Sequence, residues 1–503
     1  MVLIETGPSP KSRWAGRHIV VCNWRDSSHP QAGGAELYCE EVAEEFARHG
    51  AQVTLVTSRP AGAASEEATN FGRVVRRGGP LSTYPFILLW LFRHRFDIDA
   101  VVDSENGIPY FSALAVRRRT PVVLLIHHVH QEQFRAHFSF PTRTLGQVAE
   151  KWGSRLVYRG RPICVVSPTA RVATRRQLGL KGAIFLAPNG APRAGDAKST
   201  SARHPTPRVV CVGRLVVHKR YDLLLRSLPE VVTKFPDLDV HIVGDGDQRE
   251  SLSRQLVDLD LQKIVTMHGR LPAAERDALL ASAWITVNPS AGEGWGVSVI
   301  EAASLGVPTV AFAVPGLRDS VRVGATGWLA EPGDDLGPLI QLALDSVGDL
   351  CDREVWARRC IEWSGCFSWT ATASRILSVL ASEEEHRARD IKDRRSRSDS
   401  CVVVALPRES KSQQVVANFR QVDQLRVLDD RIEVLMDGAD EHDAREALKR
   451  VEQVDHVDWH ARLARHRDLF GWPGSLRLDA RELADEVDGG EGLPMAELPD
   501  AER

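Results

Sequence analysis

Short apolar runs alternate with amphipathic stretches along the first 190 residues of the chain. Strand-like apolar runs occupy residues 18–22, 52–57, 100–103, 121–126 and 163–166. The stretch 35–49, which follows the first run, has the spacing of an amphipathic helix. Continuous apolar strands separated by helices are typical of a parallel sheet that is covered on both faces. The pattern therefore predicts a doubly wound α/β unit in this part of the chain.

The same alternation begins again at residue 208, after a segment of different composition. Residues 191–207 are rich in Ala, Pro, Ser and charged residues and show no periodicity, which indicates a linker. Residues 221–235 have apolar side chains at helical spacing. Further strand-like runs occupy residues 208–212, 240–243, 264–267, 284–287 and 308–311. Two α/β units are therefore predicted, with a ligand site at the carboxyl ends of their strands, in the cleft between the units.

Composition and charge exclude several classes of protein. The 503-residue chain is 43% hydrophobic and 26% charged, which argues against disorder, a collagen repeat or a simple coiled coil. Its net charge of −3 divides into +6 for residues 1–400 and −9 for residues 401–503. That basic excess is too weak to indicate nucleic-acid binding. The eight cysteines include no C-x-x-C pair, so neither a zinc knuckle nor a disulfide framework is predicted.

Membrane insertion is not predicted either. The longest apolar run, residues 86–92, has seven residues, whereas a spanning helix needs about 20. The apolar residues at the N-terminus are too few for a signal peptide, so the cytoplasm is the expected location. Arg93, His94 and Arg95 follow the apolar run. The run is interpreted either as a buried helix or as a helix in peripheral contact with an anionic membrane.

Two clusters of glycine and cationic residues follow strands and suit a phosphate. Gly33 and Gly34 open the first helix, where backbone N–H groups can bind an anion. A tight strand-to-helix turn is the alternative interpretation of these glycines. Gly213 and Arg214 follow the first strand of the second unit, and Lys219 comes shortly after. A guanidinium and an ammonium group near a helix start favour a diphosphate ligand over a merely charged surface.

A glycine-rich loop in the second unit adds two carboxylates to this set. Gly294 and Gly296 let backbone amides face a ligand, and the helix predicted to begin near Trp295 directs its N-terminus to the same place. Glu293 lies in the loop, and Glu301 lies about a turn and a half inside the helix. Carboxylates beside a phosphate would repel it, so these two are expected to accept hydrogen bonds from hydroxyl groups. The alternative interpretation of Glu301 is that it binds no ligand and only caps the helix or forms a local ion pair.

Three histidines, His127, His128 and His130, follow the apolar run at 121–126. Strand alternation would place His128 and His130 on one face and His127 on the other. No Asp or Cys nearby completes a ligand set, which argues against a metal site. A hydrogen bond to a polar ligand, or a role in proton transfer, is the favoured interpretation.

Taken together, these motifs resemble those of glycosyltransferase family 4. The resemblance rests on GRLVVHKR, HIVGDGDQ, VTMHGRL, NPSAGEGWGVSVIEAASLGVP and GLRDSV in the second half of the chain, and on AGGAE and HHVH in the first. It covers roughly residues 17–380, and its most specific element is the pair Glu293 and Glu301 in their glycine context. The resemblance implies a GT-B fold of two facing Rossmann-like domains, transfer with retention of anomeric configuration, and no required metal ion or cofactor.

The resemblance also implies roles for residues of the C-terminal domain. Arg214 and Lys219 would neutralise the diphosphate of the nucleotide-sugar. Glu301 would hold the ribose hydroxyls. Glu293, together with the backbone of residues 294–296, would hold the sugar that is transferred.

Further roles follow for the N-terminal domain and for the nucleotide base. Gly33 and Gly34 would approach the phosphate, and His130 matches the family's histidine near the transferred sugar, with His127 as a competing alignment. Arg270 falls in the base-binding segment, where contact through the main chain is expected. The resemblance implies a UDP-, GDP- or ADP-sugar as co-substrate, and a glycan, lipid-linked or small-molecule acceptor. The expected catalytic set is His130, Glu293, Arg214 and Lys219.

The expected domain boundaries combine the linkers with this resemblance. They are an N-terminal Rossmann-like acceptor domain (1–190), a linker (191–207), a C-terminal Rossmann-like nucleotide-sugar-binding domain (208–363), a helix returning to the N-terminal domain (364–382), a charged linker (383–400) and an acidic extension (401–503). In the extension, apolar runs at 401–406 and 432–435 flank a predicted helix. They faintly resemble the first β-α-β unit of a GT-A-type transferase, so a small α/β remnant or an interaction module is expected.

Two alternatives to a transferase stay open. A GT-B-fold sugar-nucleotide epimerase shares the donor-binding features. A catalytically silent nucleotide-sugar-binding or scaffold protein would share the fold. The charged residues Arg214, Lys219, Glu293 and Glu301 argue against the silent protein, since a scaffold has little reason to keep charges around a cleft.

Overall fold

The structure of the protein, a computed structural model, forms two compact units. It describes residues 13–29, 32–80, 82–131, 142–180, 183–192, 203–388, 400–407, 424–427, 431–437, 460–465 and 476–477. The C-terminal unit contains Val166–Val172 and Pro188–Thr372, and the N-terminal unit contains Val2–Val165, Ala173–Ala187 and the chain from Ala373. Within the described ranges, no helix is both long enough and apolar enough to cross a bilayer.

An eight-stranded sheet forms the centre of the N-terminal unit. Its strands are β1 His18–Cys22, β2 Gln52–Thr57, β3 Glu66–Thr69, β4 Gly72–Arg76, β5 Ala100–Glu105, β6 Val122–Ile126, β7 Ile163–Val165 and β8 Ile184–Leu186. Their order is β3-β4-β2-β1-β5-β6-β7-β8, and every neighbouring pair is parallel except β3 with β4. The five apolar runs predicted in this part of the chain are confirmed as parallel strands, and their side chains are almost all buried.

Helices and short helical turns connect these strands. They are α1 Gly34–Arg48, α2 Thr83–His94, α3 Thr142–Val148, α4 Ser154–Val157 and α5 Pro168–Ala173, with π-helical turns at Ala149–Gly153 and Thr174–Leu178. Helix α1 confirms the amphipathic stretch in the sequence, because Tyr38, Val42 and Phe46 recur every fourth residue and are buried. The first π-helical turn joins α3 to α4 without a break, so residues 142–157 form one irregular helix.

The C-terminal unit contains a second parallel sheet. Its strands are β9 Arg208–Val212, β10 Asp239–Val243, β11 Val265–Gly269, β12 Thr286–Asn288, β13 Thr309–Phe312 and β14 Gly327–Ala330. They form the ladders β11-β10-β9 and β12-β13-β14, and a parallel bridge between Val209 and Ile285 links the two. The predicted strands are confirmed, each within a few residues of its expected bounds. One apolar core, which includes Leu224, Ile242 and Val310, packs against this sheet.

Eight helices of the described chain follow β9. They are α6 Tyr221–Lys234, α7 Arg249–Asp258, α8 Ala273–Ala281, α9 Val297–Ser304, α10 Leu317–Ser320, α11 Gly337–Ser346, α12 Leu350–Ser364 and α13 Trp369–Ala388. Helix α6 confirms the helix predicted at 221–235, and its buried face consists of the predicted apolar positions. Helix α9 begins two residues after Trp295, close to the predicted start. From Ala373 onward α13 belongs to the N-terminal unit, where Arg161 binds Glu383 over 3.1 Å.

The C-terminal extension forms a third sheet. Its strands are β15 Ser400–Pro407, β16 Gln424–Val427, β17 Arg431–Asp437, β18 His460–Arg465 and β19 Leu476–Arg477, in the order β18-β15-β17-β16-β19. The apolar runs at 401–406 and 432–435 are confirmed as strands, but β15 and β17 pair antiparallel over their whole length. A β-α-β unit joins parallel strands, so these two strands do not form the expected unit. The helix predicted between them lies outside the described residues.

Candidate active site

A partly buried ion pair joins two of the predicted residues in the C-terminal unit. The Lys219 Nζ donates a hydrogen bond to Oε1 of Glu293, and only 16% of each side chain is exposed. Ser290 donates its hydroxyl to the same oxygen over 2.7 Å. Burial alone would raise the pKa of the Glu293 carboxyl, but the charge of Lys219 and these hydrogen bonds hold the pKa below its usual range. Glu293 is therefore a carboxylate at neutral pH, held beside a fixed ammonium group.

Glu301 lies in the electrostatic neighbourhood of this ion pair. It is in the second turn of α9, and its carboxylate is 4.0 Å from the guanidinium of Arg276. Burial raises the pKa of Glu301, while the charges of Arg276 and Lys219 oppose the rise and that of Asp277 adds to it. The structure thus brings Lys219, Glu293 and Glu301 together, as the sequence predicts.

Two glycines shape the loops around these residues. Gly296 precedes α9 with φ of +88°, and a Cβ at this position would lie 2.6 Å from the Ser320 hydroxyl. Both the backbone angle and the contact exclude larger side chains there. Gly213 packs against Tyr221, whose hydroxyl would be 2.7 Å from an added Cβ. Arg214, half-buried, follows Gly213 in the loop that leads from β9 toward Lys219.

The Trp295 side chain anchors the glycine-rich loop to the protein interior. Its ring is 5% exposed and stands edge-on to Phe367, with the ring centroids 4.9 Å apart. The indole Nε1 is buried, and the part of the chain that the structure describes gives it no hydrogen-bond partner. Gly294, next to it, is half-buried. Binding of a ligand by Gly294 and Trp295 stays a prediction, and packing is the role of Trp295 that its contacts establish.

Arg270 follows β11 and is exposed. In the strand order β11-β10-β9, the end of β11 is two strands from the end of β9, a separation of about 10 Å. Arg270 is therefore at some distance from the loop that carries Lys219, which suits a ligand that extends along the sheet edge. Its role in base binding stays a prediction.

In the N-terminal unit, a carboxylate already occupies the helix start at Gly33. The Gly33 N–H donates to Oε2 of Glu36 over 2.7 Å, and Gly34 is the first residue of α1. The Nε of Arg25 is 3.2 Å from the other oxygen of Glu36. The Gly33 amide, expected to face a phosphate, is thus satisfied within the chain. Arg25 is a cation near this helix start that sequence reasoning missed, because it lies eight residues upstream of Gly33.

The three histidines have different environments. The His127 ring is buried edge-on against Tyr38, and its Nε2 is 2.9 Å from the hydroxyl of Ser104. Since Ser104 donates its proton to Asn23, its oxygen is free to accept from His127. His130 keeps 21% of its side chain exposed and stands edge-on to His128, with centroids 5.4 Å apart. Burial lowers the pKa of both His127 and His130, so both rings are neutral at pH 7.

Glu150 is a second residue that sequence reasoning missed. It lies in the π-helical turn at Ala149–Gly153 and is fully buried. Its Oε1 accepts the backbone N–H of His130 over 2.6 Å, and its other oxygen accepts the side-chain amide of Gln131. A single Glu in an amphipathic stretch carries no sequence signal for such a role. Only the fold, which places residue 150 beside the loop after β6, reveals it.

The cluster in the C-terminal unit is suited to a phosphorylated ligand that also bears hydroxyl groups. Lys219 supplies a fixed positive charge, and the first amides of α9 add a partial positive charge at the glycine-rich loop. Glu293 and Glu301 can accept hydrogen bonds from hydroxyl groups. Within the described ranges, no three His, Cys, Asp or Glu side chains are grouped as a metal ion would require.

Two family models match successive parts of the chain. The model described as "Glycosyltransferase Family 4" matches residues 32–194, and the model described as "Glycosyl transferases group 1" matches residues 194–353. Together the two matches cover well over half of the chain and, apart from β1, every strand of its two parallel sheets.

Named relatives support the same grouping. The chain is 32% identical over 189 residues to a GDP-mannose-dependent alpha-(1-6)-phosphatidylinositol monomannoside mannosyltransferase of Mycolicibacterium smegmatis, a match that covers 36% of this chain and 49% of that one. It is 26% identical over 300 residues to a sulfoquinovosyl transferase of Arabidopsis thaliana, covering 56% of each. The chain thus spans about half the length of the curated relatives it matches.

A solved structure shows the same fold. Sucrose-phosphate synthase from Thermosynechococcus elongatus superposes with a TM-score of 0.60 at 21% identity, covering 73% of this chain and 98% of that one. The predicted α/β architecture of two Rossmann-like units, the GT-B class, is confirmed.

Proposed function

The chain belongs to the group 1 glycosyltransferases of family 4, and we propose that it transfers a sugar from a nucleotide-sugar to an acceptor hydroxyl with retention of anomeric configuration. The observation that carries this proposal is the partly buried Lys219–Glu293 ion pair with Glu301 nearby. A fixed cation next to two carboxylates matches a ligand that combines a diphosphate with the hydroxyls of a ribose and a sugar.

In the proposed reaction, the acceptor oxygen bonds to the anomeric carbon as the bond from that carbon to the diphosphate oxygen breaks. Lys219 and Arg214 stabilise the negative charge that develops on the departing diphosphate, together with the first amides of α9. The acceptor proton passes to the departing phosphate, so the step balances without an enzymic nucleophile. Glu301 holds the ribose and Glu293 the transferred sugar. In the N-terminal unit, His130 is the proposed neutral hydrogen-bonding group for transfer.

The substrate class is part of this proposal. The Mycolicibacterium relative is named for GDP-mannose and a phosphatidylinositol mannoside acceptor. We therefore place GDP-mannose first among the donors to be tested, with UDP- and ADP-sugars beside it. Acceptors are taken from three classes: glycans, lipid-linked sugars and small molecules with free hydroxyl groups.

The proposal is tested with a panel of nucleotide-sugars, each incubated with and without acceptors. We expect one donor to raise the thermal unfolding midpoint, to be hydrolysed slowly alone, and to give a product with the donor's anomeric configuration by NMR. An inverted product would contradict retention, and formation of an epimerised nucleotide-sugar would establish the epimerase instead. Stabilisation by a donor with neither hydrolysis nor transfer would establish a silent binding protein.

We also propose that the N-terminal unit contacts an anionic membrane. On α2, Phe86, Leu89 and Phe92 are exposed, and the Arg95 guanidinium lies 3.9 Å from the centroid of the Phe92 ring. Aromatic rings with a cation above them are suited to the boundary between lipid headgroups and acyl chains. The exposed part of α2 thus favours membrane docking over the alternative of a wholly buried helix.

A second exposed face continues this pattern. Val148, Trp152 and Leu156 recur every fourth residue, and Trp152 and Leu156 are 60% and 81% exposed. Between residues 142 and 160 the sole acidic residue is Glu150, which is buried, while four residues are cationic. An apolar stripe among positive charges complements anionic lipids.

The two faces flank the same loop. The rings of Tyr84 on α2 and Tyr110 pack together, with their centroids 5.0 Å apart. The next residue, Phe111, packs against Gly153, which lies between Trp152 and Leu156 in the sequence. Both faces are thus supported by one packed segment of the N-terminal unit. We propose that they contact the membrane together.

Sedimentation with vesicles tests the membrane proposal independently of any donor. Binding to vesicles that contain equal amounts of phosphatidylglycerol and phosphatidylcholine should fall about tenfold in the double variant Trp152→Ser, Leu156→Ser. The reason is that the variant loses apolar side-chain area that the membrane would bury. The matched control is Leu342→Ser, Leu350→Ser, which alters two exposed leucines of the C-terminal unit. Equal loss in both double variants, or equal binding to pure phosphatidylcholine, would contradict the proposal.

A further inference from the structure

The loop after β6 is held to the irregular helix at residues 142–157 by two side chains. The carboxylate of Glu150 accepts the His130 backbone N–H and the Gln131 side-chain amide. Gln147, one helical turn earlier, donates its amide to the Gln131 carbonyl over 2.9 Å, and its own carbonyl accepts from Gln131 over 3.2 Å. His130 and Gln131 are therefore held by four hydrogen bonds, two to their backbone and two from the Gln131 side chain, and Glu150 accepts one of each kind.

Glu150 also faces the imidazole of His130. Its Oε1 is 3.8 Å from Nδ1 of the neutral ring, which is a close approach but longer than a hydrogen bond. A fully buried carboxylate is costly unless it accepts hydrogen bonds or meets a positive charge. Glu150 accepts its hydrogen bonds from the His130 N–H and the Gln131 amide, so both donors belong to the loop that carries His130.

The backbone around Glu150 is itself unusual. A π-helical turn inserts an extra residue into a helix at a cost in hydrogen-bond geometry, and such turns are frequent at functional sites. Here the turn spans Ala149–Gly153 and contains Glu150. The local distortion of the helix coincides with the residue that reaches the histidine loop.

Other ionisable groups face this carboxylate. Glu105 ends β5 and is fully buried, and Asp103 lies two residues before it. Burial raises the pKa of Glu105 well above its ordinary value, and the charges of Glu150 and Asp103 add to the rise. Burial also raises the pKa of Glu150 to about 7, opposed by the N–H groups of His130 and Gln131. Glu105 is therefore a neutral acid at pH 7. Of the two carboxyl groups, Glu150 is the one that ionises.

We infer that Glu150 is a positioning residue for His130: its buried carboxylate fixes the backbone N–H of that histidine, and through the backbone it sets the orientation of the ring that transfer requires. The inference rests on the proposed function, because it gives His130 a purpose in transfer. Glu150 touches neither donor nor acceptor in this role. Its effect on the reaction is exerted through His130 alone.

The first test is a double-mutant cycle with the full chain. Glu150→Ala should lower kcat about tenfold to a hundredfold while the KM for the nucleotide-sugar changes less than about twofold. In a His130→Ala background, the same substitution should lower kcat no further, because its effect acts through the missing ring. Glu150→Gln keeps an oxygen that accepts the His130 N–H, and should restore kcat to within a few fold of the unsubstituted enzyme.

Other outcomes of the cycle overturn the inference. Equal losses from Glu150→Ala with and without His130 would show a general structural role. A rise in donor KM with unchanged kcat would place Glu150 in substrate binding. If His130→Ala is fully active while Lys219→Ala is inactive, the role of His130 fails and the inference fails with it, although the proposed transfer stands.

A second measurement needs no activity. Hydrogen exchange followed by mass spectrometry should show faster exchange in the peptide that contains residues 127–131 for Glu150→Ala, and unchanged exchange for Glu150→Gln. Lys151→Ala, the adjacent residue of the same π-helical turn, is the matched control and should leave that peptide unchanged. Unchanged exchange in folded Glu150→Ala overturns the inference even if no donor is found. Faster exchange without any detected transfer would support the contact between Glu150 and the His130 loop, and would contradict only the proposed function.

Discussion

Lys219→Ala should lower the kcat for sugar transfer about a thousandfold. The substitution removes the fixed ammonium group that is proposed to stabilise the departing diphosphate, and removal of one such electrostatic contact costs on the order of 10²–10³ in kcat. It also leaves the Glu293 carboxylate near the ligand phosphate without its cation, which adds repulsion. Transfer is measured under saturating donor, with release of the nucleoside diphosphate as a second readout.

The matched control is Lys263→Ala, which removes an exposed lysine from the same unit. It should leave kcat unchanged. Retention of more than about a tenth of the activity in Lys219→Ala, with an unchanged circular dichroism spectrum, would contradict the site assignment.

The stability of the Lys219→Ala variant should also depend on pH in a defined direction. In the unsubstituted protein Lys219 holds the pKa of Glu293 below its ordinary value of 4.5, so this pair stabilises the fold above about pH 5 and its contribution is lost as pH falls further. In the variant, burial dominates and raises the pKa of Glu293. The difference in unfolding midpoint should therefore be largest near pH 7 and shrink below pH 4. A difference that is constant across this range would show that Lys219 acts on stability by packing alone.

Glu301→Ala should weaken use of the nucleotide-sugar about a hundredfold in kcat/KM. The carboxylate is proposed to accept hydrogen bonds from the two ribose hydroxyls, and each charge-assisted hydrogen bond contributes about 1.5–3 kcal/mol. Because burial raises the pKa of Glu301, the folded protein gains nothing from its charge. The variant should therefore bind poorly without unfolding more easily, which thermal shift and steady-state kinetics measure together.

Glu275→Ala is the control for Glu301→Ala, since Glu275 is an exposed carboxylate on α8 of the same unit. The control should retain the full kcat/KM. Wild-type kcat/KM in Glu301→Ala would remove this residue from the site, and an equal loss with a 2′,3′-dideoxy donor would show that the ribose hydroxyls are not its partners.

Most of the fold follows from hydrophobic periodicity. The parallel strands β1, β2, β5 and β6 are short, mostly apolar runs, which is the pattern that burial on both faces of a sheet produces. The extension shows where this reasoning ends. Its apolar runs correctly indicate strands, but periodicity does not determine strand direction, which depends on partners distant in sequence. For this reason β15 and β17 were expected to be parallel and are antiparallel.

The candidate site likewise contains some residues that the sequence predicts and others that it does not. Lys219, Glu293 and Glu301 are predictable because each lies at a fixed distance from a strand end or a glycine-rich loop, where parallel strands bring their carboxyl ends to one edge. Glu150 and Arg25 reach their partners across the fold, from segments without a motif. The capping of Gly33 by Glu36 was likewise overlooked, although the spacing of three residues is that of a capping box.

The residues of the C-terminal unit that are proposed to hold the nucleotide-sugar lie on one continuous stretch of chain, between Gly213 and Glu301. Such an arrangement lends itself to grafting. A hybrid could keep this stretch and take the N-terminal sheet of another family member. It would retain its choice of activated sugar and transfer that sugar to a different acceptor. Libraries intended to alter sugar preference can accordingly be confined to fewer than a hundred codons.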